Sequence, residues 1–589
     1  MSSPHALILP YPAQGHVIPL MELSYCLIER GFRITFINTE FNHKRIFASS
    51  VLDQAKFIDG IHFLTIPDGL KPEEDRHNFG RLTTSLTTVM SKFFEKFLRN
   101  NAVEFTCFIA DIFMAWALKI AKNMGLRTIA FCPAAAGLLA AVFSIPKLIQ
   151  DRVIDENGAP MKKEVIQLNP EMTPLDTSIL PWCLFHDTYT EKIVFNYFID
   201  INRATSDAEM IICNSFEMLE KPVFKEMPYI LPIGQLHNSF ESRGDPNNLC
   251  HFWSEDKQCI SWLNKHPANS VIYVAFGSIT IFNNKQFQEL ALGLELIGRP
   301  FLWVVRPDMT NKSINCKYPS GFKERVANRG RMVGWSPQQK VLKHPAIACF
   351  ISHCGWNSTI EAVRNGVPFL CWPYFGDQMF NQRYITNIWK VGLSFVPDEN
   401  GLISKDEVGS KVQDLLEDRD ILARSQALKN FSDVSVMKGG SSFKNLNNIF
   451  VTIPDGLEPE EDHHNFGRLT TSLTTVMPIF LEELMRNKAV EFTYFIADIF
   501  MGWAFNIAKK VGLRTAAFCP AAAGLLATVF SIPKLIQDKV FHENGTPMKK
   551  KVIQLNPEMT PLDTSILPWC HFHDAYTEKI VFNYFIDNN

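Results

Sequence analysis

Residues 335–378 read WSPQQKVLKHPAIACFISHCGWNSTIEAVRNGVPFLCWPYFGDQ. Two apolar runs in this stretch, Ala346–Ile351 and Pro368–Trp372, predict buried strands of a parallel sheet. Between them lie a polar loop, residues 353–358, and a predicted helix over Thr359–Arg364. An order of strand, loop, helix and strand is typical of the α/β class, because each crossover helix returns the chain to a parallel neighbour.

The same alternation continues on both sides of this stretch. Upstream, a helix over Val17–Arg30, ended by Gly31, separates the first two members of one set of predicted strands: His5–Pro10, Arg33–Asn38, Phe105–Ala110, Arg127–Cys132 and Glu209–Asn214. A second set comes directly before the stretch: Val271–Phe276, Phe301–Arg306 and Arg331–Val333. We therefore expect two Rossmann-like, doubly wound domains, 1–240 and 257–449, which face a cleft at the carboxyl ends of their strands. The polar, Asn- and Gly-containing stretch between the two sets predicts a linker over 241–256.

The last quarter of the chain repeats an earlier part of it. Residues 63–202 align without gaps to 450–589, and roughly four in five positions are identical, far more than in ordinary structural repeats. The repeat has no counterpart of residues 1–62 or of 335–378. We interpret it as a partial duplication that supplies an incomplete α/β segment; the alternative is a gene-model fusion of neighbouring copies. We expect this segment either to dock loosely or to compete with its original for the first strand of the sheet.

Composition excludes several classes of protein. With 58 basic and 61 acidic residues the net charge is 58 − 61 = −3, which argues against a general nucleic-acid or anionic-membrane binder. The thirteen cysteines follow no disulfide or zinc spacing and therefore suggest reduced thiols and a cytoplasmic location. The uncharged stretch Thr128–Pro146 is interrupted by Pro133 and Gly137, so we expect a strand, a turn and a buried helix there, not a membrane span.

Several side chains in and near residues 335–378 suit the parts of a nucleotide sugar. Trp335 could stack on a base, a contact worth ~1–3 kcal/mol in nucleic-acid sites, although a lone Trp is more often a core residue. The loop before the helix could bind a diphosphate through helix N–H groups, or Asn357 and Ser358 could simply cap the helix. Glu361 could accept bonds from ribose hydroxyls, or be a solvated acid.

Taken together, the 44 residues (378 − 335 + 1) resemble the donor-binding signature of the plant family 1 UDP-dependent glycosyltransferases. The resemblance implies the GT-B fold and a UDP-sugar co-substrate, with no separate cofactor and no metal. It also implies that Trp335 stacks on uracil, that Glu361 holds the ribose, and that Asp377 and Gln378 hold the hexose, where Gln favours glucose. The other donor-binding residues implied in this way are Gln338, His353, Trp356, Asn357 and Ser358. Two more candidates come from the residues themselves: Gly355, which permits close backbone approach, and Ser278, which follows a predicted strand in a loop that could contact phosphate.

The segment PYPAQGH, residues 10–16, resembles the N-terminal loop that carries the catalytic base of this family. His16 would then remove the acceptor proton, and Asp111 at the end of a predicted strand would orient it. The alternatives are a structural histidine and, for Asp111, an N-cap of a helix over Ile112–Met124. The repeat carries Asp498 at the place of Asp111 but no counterpart of His16, so we expect no second pair there.

The expected activity is an inverting transfer of a hexose to a hydroxyl or carboxyl group of a small lipophilic acceptor. We expect its pocket to be lined by residues such as Phe131, Phe143, Trp182 and Phe185. One alternative is a catalytically impaired UDP-sugar-binding fusion product. A dinucleotide oxidoreductase is disfavoured because no GxGxxG follows a strand. Residues 438–445 resemble the closing segment of the family, but the chain continues into the repeat, so the sequence does not establish the closing helix.

Overall fold

A computed structural model describes most of residues 4–448 and parts of the repeat. The described residues are 4–48, 57–58, 60–76, 78–168, 174–185, 187–206, 208–234, 236, 253, 255–280, 282–310, 316–448, 475, 477–488, 494–498, 501–518, 531–542, 546–548, 552–553 and 562–563. The chain forms two compact units, residues 1–448 and 449–589. Both units are α/β, and the first contains two separate parallel sheets.

The N-terminal sheet has eight strands in the order β10-β9-β6-β5-β1-β2-β4-β3. All neighbouring strands run parallel except β3 and β4, which pair antiparallel. The central strands are apolar and buried, as expected for a sheet covered by helices on both faces. The strands are β1 His5–Leu9, β2 Arg33–Thr39, β3 Phe57–Ile58, β4 Ile61–Ile66, β5 Cys107–Asp111, β6 Arg127–Cys132, β9 Met210–Cys213 and β10 Ile230–Pro232, with a separate hairpin of β7 Val165–Ile166 and β8 Leu175–Asp176.

Helices cover this sheet and connect its strands in parallel crossovers. Between α3 and α4 the helix widens into one π-helical turn, Leu86–Met90. The helices are α1 Gln14–Ile28, α2 Glu40–Ala48, α3 Phe79–Ser85, α4 Ser91–Asn101, α5 Ala115–Asn123, α6 Ala136–Phe143, α7 Ile145–Gln150, α8 Thr188–Ser206 and α9 Lys221–Glu226.

The second sheet has six parallel strands in the order β13-β12-β11-β14-β15-β16. Its strands are β11 Val271–Ala275, β12 Phe301–Val304, β13 Gly330–Val333, β14 Ile347–Ser352, β15 Phe369–Cys371 and β16 Gly392–Ser394. Its helices are α10 Cys259–Leu263, α11 Asn284–Ile297, α12 Phe322–Arg325, α13 Gln338–Lys343, α14 Trp356–Asn365, α15 Gln378–Arg383, α16 Lys405–Glu417, α17 Arg419–Val436 and α18 Ser441–Asn448. The prediction of two Rossmann-like parallel sheets is confirmed.

Some boundaries differ from the sequence-based expectation. Helix α1 begins at Gln14 and not at Val17, because Ala13 carbonyl oxygen already accepts the N–H of Val17. His16 therefore lies in the first helical turn and not in the loop. Residues 128–146 form part of β6, a turn and the buried helix α6, as expected. Within the described residues, no helix combines the length and apolar character needed to cross a membrane.

Six strands of the first unit were not anticipated: β3, β4, β7, β8, β10 and β16. All of them except β4 have only two or three residues, too few to establish a periodic pattern. In β4, exposed and buried residues alternate irregularly, so it lacks the continuous apolar run of the central strands.

Helix α18 closes the first unit although the chain continues beyond it. Its Ser442 hydroxyl donates to the Gly234 carbonyl, and Asn445 Nδ2 donates to the Pro232 carbonyl at 2.9 Å. From the N-terminal side, the Arg30 guanidinium donates to Asn447 Oδ1 at 3.1 and 3.2 Å. The closing helix that the sequence alone left open is therefore formed, and it ends directly before the repeat.

The described residues of the repeat form the same local elements as their originals. Strands β17 Tyr494–Asp498 and β18 Arg514–Phe518 pair in parallel, and β19 Val552–Ile553 pairs with β20 Leu562–Asp563. β17 begins 494 − 107 = 387 residues after β5, which is the offset of the sequence repeat. The helices among the described residues of this unit are Met477–Lys488, Gly502–Lys510 and Ile532–Gln537. Among the described residues its parallel sheet has two strands, whereas β5 also pairs with β1.

We expect a chain that ends after Asn448 to keep the thermal stability of the first unit, because the contacts of α18 all precede that residue. A matched chain that ends after Gly440 lacks α18 and should unfold at least several degrees lower. Thermal unfolding followed by circular dichroism checks both. Equal melting of the two truncated chains would contradict the role given to α18.

Candidate active site

A cavity of about 800 Å³ opens between the two sheets of the first unit, at the carboxyl ends of their strands. His16 lines it from the N-terminal side. All of the expected donor-binding residues line the same cavity: Ser278, Trp335, Gln338, His353, Gly355, Trp356, Asn357, Ser358, Glu361, Asp377 and Gln378. Asp111 lies behind His16 and is fully buried.

His16 and Asp111 form a hydrogen-bonded pair. The distance between His16 Nδ1 and Asp111 Oδ2 is 2.7 Å, and 22% of the His16 side chain remains exposed. The other oxygen, Oδ1, accepts the N–H of Phe113 at 2.9 Å and so caps the turn that follows β5. Asp111 therefore combines the two roles that the sequence left as alternatives. With Nδ1–H donating to Asp111, Nε2 is the nitrogen that can accept a proton.

The loop between β14 and α14 presents the start of a helix to the cavity. Gly355 is the N-cap residue, and the N–H groups of the first turn of α14 have no partner within the helix. The His353 ring lies between two glycines: a Cβ on Gly355 would overlap its Nε2, and one on Gly277 would lie 2.6 Å from it. Burial lowers the pKa of His353 to about 4, so at neutral pH the ring is an uncharged donor.

A buried arginine fixes the neighbouring loop, which follows β11 and contains Gly277 and Ser278. Arg306 is 1% exposed, donates from Nη1 to the Gly277 carbonyl at 2.8 Å, and contacts Asp308 at 3.0 Å. Gly277 has a φ of +68°, a conformation that residues with a Cβ rarely adopt. The loop that carries Ser278 is therefore held in place beside His353.

Hydrogen bonds hold Glu361 from one side of the cavity. Gln338 Nε2 donates to Glu361 Oε2 at 2.7 Å and to Ser358 Oγ at 2.8 Å. The Tyr273 hydroxyl donates to Gln338 Oε1 at 3.0 Å and so orients the amide. Burial raises the pKa of Glu361, and the bonds from its glutamine neighbours lower it. The carboxylate is thus fixed at the cavity surface, with partly buried Trp335 lining the same region.

Trp356 lines the cavity, but its indole is engaged in contacts within the protein. Its indole Nε1 donates to the Asn214 carbonyl at 2.8 Å, and its ring packs against Tyr384 and Trp389. The indole thus joins the two sheets of the unit and is occupied by that contact. What Trp356 can offer a diphosphate is its backbone N–H at the first position of α14.

Asn357 contacts α1 directly. Its Nδ2 donates to the Gly15 carbonyl, next to His16. That carbonyl is available because the residue four positions later is Pro19, which has no N–H to donate within the helix. Helices α1 and α14 are therefore joined at their first turns.

Asp377 and Gln378 begin α15 at the edge of the cavity. Asn381 Nδ2 donates to Asp377 Oδ2 at 2.9 Å, and the N–H of Tyr374 donates to Gln378 Oε1 at 2.8 Å. Burial raises the pKa of Asp377, while Asn381 and the nearby His16 lower it. The side-chain oxygen of Gln378 is used within the protein, which directs its amide nitrogen to act as a donor.

The aromatic lining near His16 was only partly anticipated. Of the four expected pocket residues, Phe185 lines the cavity, and the other three do not. Phe131 is fully buried in β6, and the Trp182 indole donates to the Gly158 carbonyl. Phe143 lies at the end of α6, against Tyr229.

Other aromatic residues that line the cavity include Tyr11, Phe79, Phe113 and Phe198. The rings of Tyr11 and Phe79 stack at 5.5 Å, and Phe113 meets the His16 ring edge-on at 5.1 Å. Tyr11 and Phe113 follow β1 and β5 closely, so their positions after strand ends could have identified them.

Comparison with known proteins agrees with this geometry. The family model UDP-glucoronosyl and UDP-glucosyl transferase matches residues 27–425. UDP-glycosyltransferase 83A1 from Arabidopsis thaliana is 38% identical over 457 residues, which cover 76% of this chain and 96% of that protein. The 7-deoxyloganetic acid glucosyltransferase from Catharanthus roseus is 35% identical, with 76% and 96% covered.

A solved structure is similar in fold. Phytolacca americana UGT2, complexed with UDP-2fluoro-glucose and pterostilbene, superposes with a TM-score of 0.62 at 25% identity, over 76% of this chain and 99% of that one. The chain belongs to the UDP-glucoronosyl and UDP-glucosyl transferase family. It is a UDP-glycosyltransferase of the GT-B fold that transfers a sugar to small-molecule acceptors.

The Gly355→Ala variant should bind UDP about tenfold or more weakly, because its Cβ would displace the His353 ring from the loop. Gly409→Ala is the matched control: it lies within α16, where the nearest atom to a new Cβ is a Leu296 methyl at 3.3 Å. Isothermal titration with UDP measures both. Equal affinity of the two variants would show that the glycine contact with His353 is not required.

Proposed function

We propose that this enzyme is an inverting glucosyltransferase, which moves glucose from UDP-glucose to a hydroxyl or carboxyl group of a small lipophilic acceptor. The observation that carries the proposal is the His16–Asp111 pair at 2.7 Å, which lines one cavity with the N-terminus of α14. One base and one donor site facing each other suit a single displacement. In that reaction the acceptor oxygen attacks C1 of the sugar from the side opposite UDP, which inverts the anomeric configuration.

His16 acts as the general base in this proposal. Asp111 accepts Nδ1–H and fixes the tautomer, and Nε2 takes the proton of the acceptor hydroxyl as the new C1–O bond forms. The buried carboxylate then stabilises the imidazolium that results. An acceptor carboxylate would need no proton removal, so His16 matters most for hydroxyl acceptors.

UDP leaves as the bond between C1 and its β-phosphate oxygen breaks. The negative charge that develops on the diphosphate falls near the first N–H groups of α14, the His353 ring and Ser358. We propose that these donors perform the charge stabilisation and that no cofactor takes part, UDP-sugar being a co-substrate. Among the described residues, no group of three His, Cys, Asp or Glu side chains is placed to hold a metal ion.

Glucose as the transferred sugar is supported by Gln378 and by the relatives. The amide nitrogen of Gln378 can donate to a sugar hydroxyl, and Asp377 beside it can accept from another. The Catharanthus roseus relative is named a glucosyltransferase, and the Phytolacca americana structure contains UDP-2fluoro-glucose. These observations favour UDP-glucose over other UDP-hexoses.

A flat, lipophilic acceptor is supported by the aromatic rings around His16. The ring centroids of Tyr11 and Phe79 are 5.5 Å apart, and those of Phe79 and Phe185 are 5.7 Å apart. Phe113 contacts the His16 ring edge-on. Such walls can bury the apolar rings of an acceptor next to the base. The Phytolacca americana structure contains pterostilbene, and the Catharanthus roseus relative is named for an acid. These names are consistent with transfer to a hydroxyl or a carboxyl group.

We propose that the repeat is a partial duplication that takes no part in the reaction. The base, its partner aspartate, the donor-binding residues and the closing helix all belong to residues 1–448. This argues against the alternative of a catalytically impaired fusion product. A cytoplasmic location stays part of the proposal and is supported by the ten described cysteines, all of which are free thiols.

The His16→Ala variant should lose ~10²–10⁴-fold in kcat toward a phenolic acceptor, while its affinity for UDP changes little. Asp111→Asn should also lower kcat, because the amide can still cap Phe113 but no longer stabilises the imidazolium. His344→Ala is a control, since that ring bonds Asn264 away from the cavity. Steady-state kinetics with UDP-glucose provide the measurement. Turnover by His16→Ala within a few-fold of the unmodified enzyme would refute the base assignment.

The proposed donor and stereochemistry can be tested on one product. We expect proton NMR to show a β-linked glucoside from α-configured UDP-glucose, and kcat/KM for UDP-glucose to exceed that for UDP-galactose. Gln378→His should narrow this preference, and added EDTA should not change the rate. An α-linked product would refute inversion, and a preference for UDP-galactose would refute the glucose assignment.

A further inference from the structure

A glutamine that the donor signature does not account for connects the two halves of the first unit. Gln339, on α13, donates from Nε2 to Glu22 Oε1 at 2.7 Å and to Glu361 Oε1 at 3.2 Å. Glu22 belongs to α1, six residues after His16, whereas Glu361 belongs to α14. All three side chains line the cavity. One amide group therefore joins two carboxylates from opposite sides of the cleft.

The three side chains depend on one another electrostatically. Two carboxylates this close repel each other when both are charged, and a shared N–H donor offsets that repulsion. Burial raises the pKa of Glu22 to about 7; the bond from Gln339 lowers it, the charge of Glu361 raises it and that of Arg364 lowers it. Near neutral pH Glu22 therefore exchanges between carboxyl and carboxylate, and its Oε1 can accept the bond from Gln339 in either form.

With Gln339 in place, each oxygen of Glu361 has one donor. Gln338 holds Oε2 at 2.7 Å, and Gln339 holds Oε1. A carboxylate oxygen can accept more than one hydrogen bond, so both oxygens can still receive a ribose hydroxyl. Fixing a side chain before the ligand binds lowers the entropy that binding has to overcome.

We propose that Glu22 and Gln339 are positioning residues that orient Glu361 for the ribose and link the ribose site to the helix that carries the base. The proposal rests on the ribose role given to Glu361 above. Removal of the link should weaken recognition of the ribose hydroxyls more than recognition of the rest of UDP. Because α1 carries both Glu22 and His16, a bound ribose would also favour the arrangement in which the base faces the sugar.

The test compares UDP with 2′-deoxy-UDP, which lacks one of the two hydroxyls, by isothermal titration of the full chain. Gln339→Leu should lower the affinity for UDP about three- to tenfold, as expected for the loss of one or two hydrogen bonds. It should lower the affinity for 2′-deoxy-UDP less than twofold. Glu22→Leu should behave in the same way. Glu22→Gln keeps an acceptor oxygen and should keep the unmodified ratio of the two affinities. Gln382→Leu is the matched control, because its amide bonds Ser394 outside the cavity.

The outcomes separate this inference from the proposed role of Glu361. If Glu361→Leu abolishes the preference for UDP over 2′-deoxy-UDP but Gln339→Leu does not, the link is wrong and the ribose role stands. If Glu361→Leu leaves the preference intact, the ribose role itself fails, and the link with it. Equal weakening of both nucleotides by Gln339→Leu, or an unchanged preference in Glu22→Leu, would also overturn the proposal. Circular dichroism melts identify any variant that fails to fold, in which case the Glu22→Leu and Glu22→Gln pair decides.

Discussion

The active site depends on the contact between the first turns of α1 and α14. Pro19 leaves the Gly15 carbonyl without its helical partner, and Asn357 donates to that carbonyl from the other half of the unit. The next residue along α1 is His16. A general base accelerates transfer only when it lies within hydrogen-bond reach of the reacting oxygen, so the position of α14 relative to α1 decides whether the site works.

Several of the polar side chains around the cavity are already hydrogen-bonded within the protein. Asp111 bonds both His16 and a backbone N–H, and Gln338 bonds Ser358 and Glu361. Such a site has little reorganisation to perform when a ligand enters, which is the main advantage of preorganised electrostatics. The packing of His353 between glycines follows the same logic, because the loop can hold the ring close only where no Cβ intervenes.

Local sequence patterns predicted the helices and strands well, but they did not predict the contacts between distant segments. The strands on either side of His353 could be anticipated because a buried parallel strand needs an uninterrupted apolar run. The position of the Trp356 indole could not be anticipated, because its hydrogen-bond partner is the Asn214 carbonyl, 142 residues away in the sequence. The acceptor lining was mostly missed for a similar reason: a phenylalanine that packs in a core and one that faces a cleft look alike in sequence.

The repeat separates what sequence determines from what tertiary structure decides. Residues 494–498 and 107–111 form equivalent strands in different units, because the backbone conformation and hydrogen bonds of an element follow from its own residues and near neighbours. The same aspartate is present in both sequences, but the histidine that pairs with Asp111 comes from a segment 95 residues away, which has no counterpart in the sequence of the repeat. The sequence by itself therefore determined the elements and the donor signature. Only the tertiary structure decided which of them meet, because the pairs that define the site, such as Gln339 with Glu22, span up to hundreds of residues and form only when both sheets pack together.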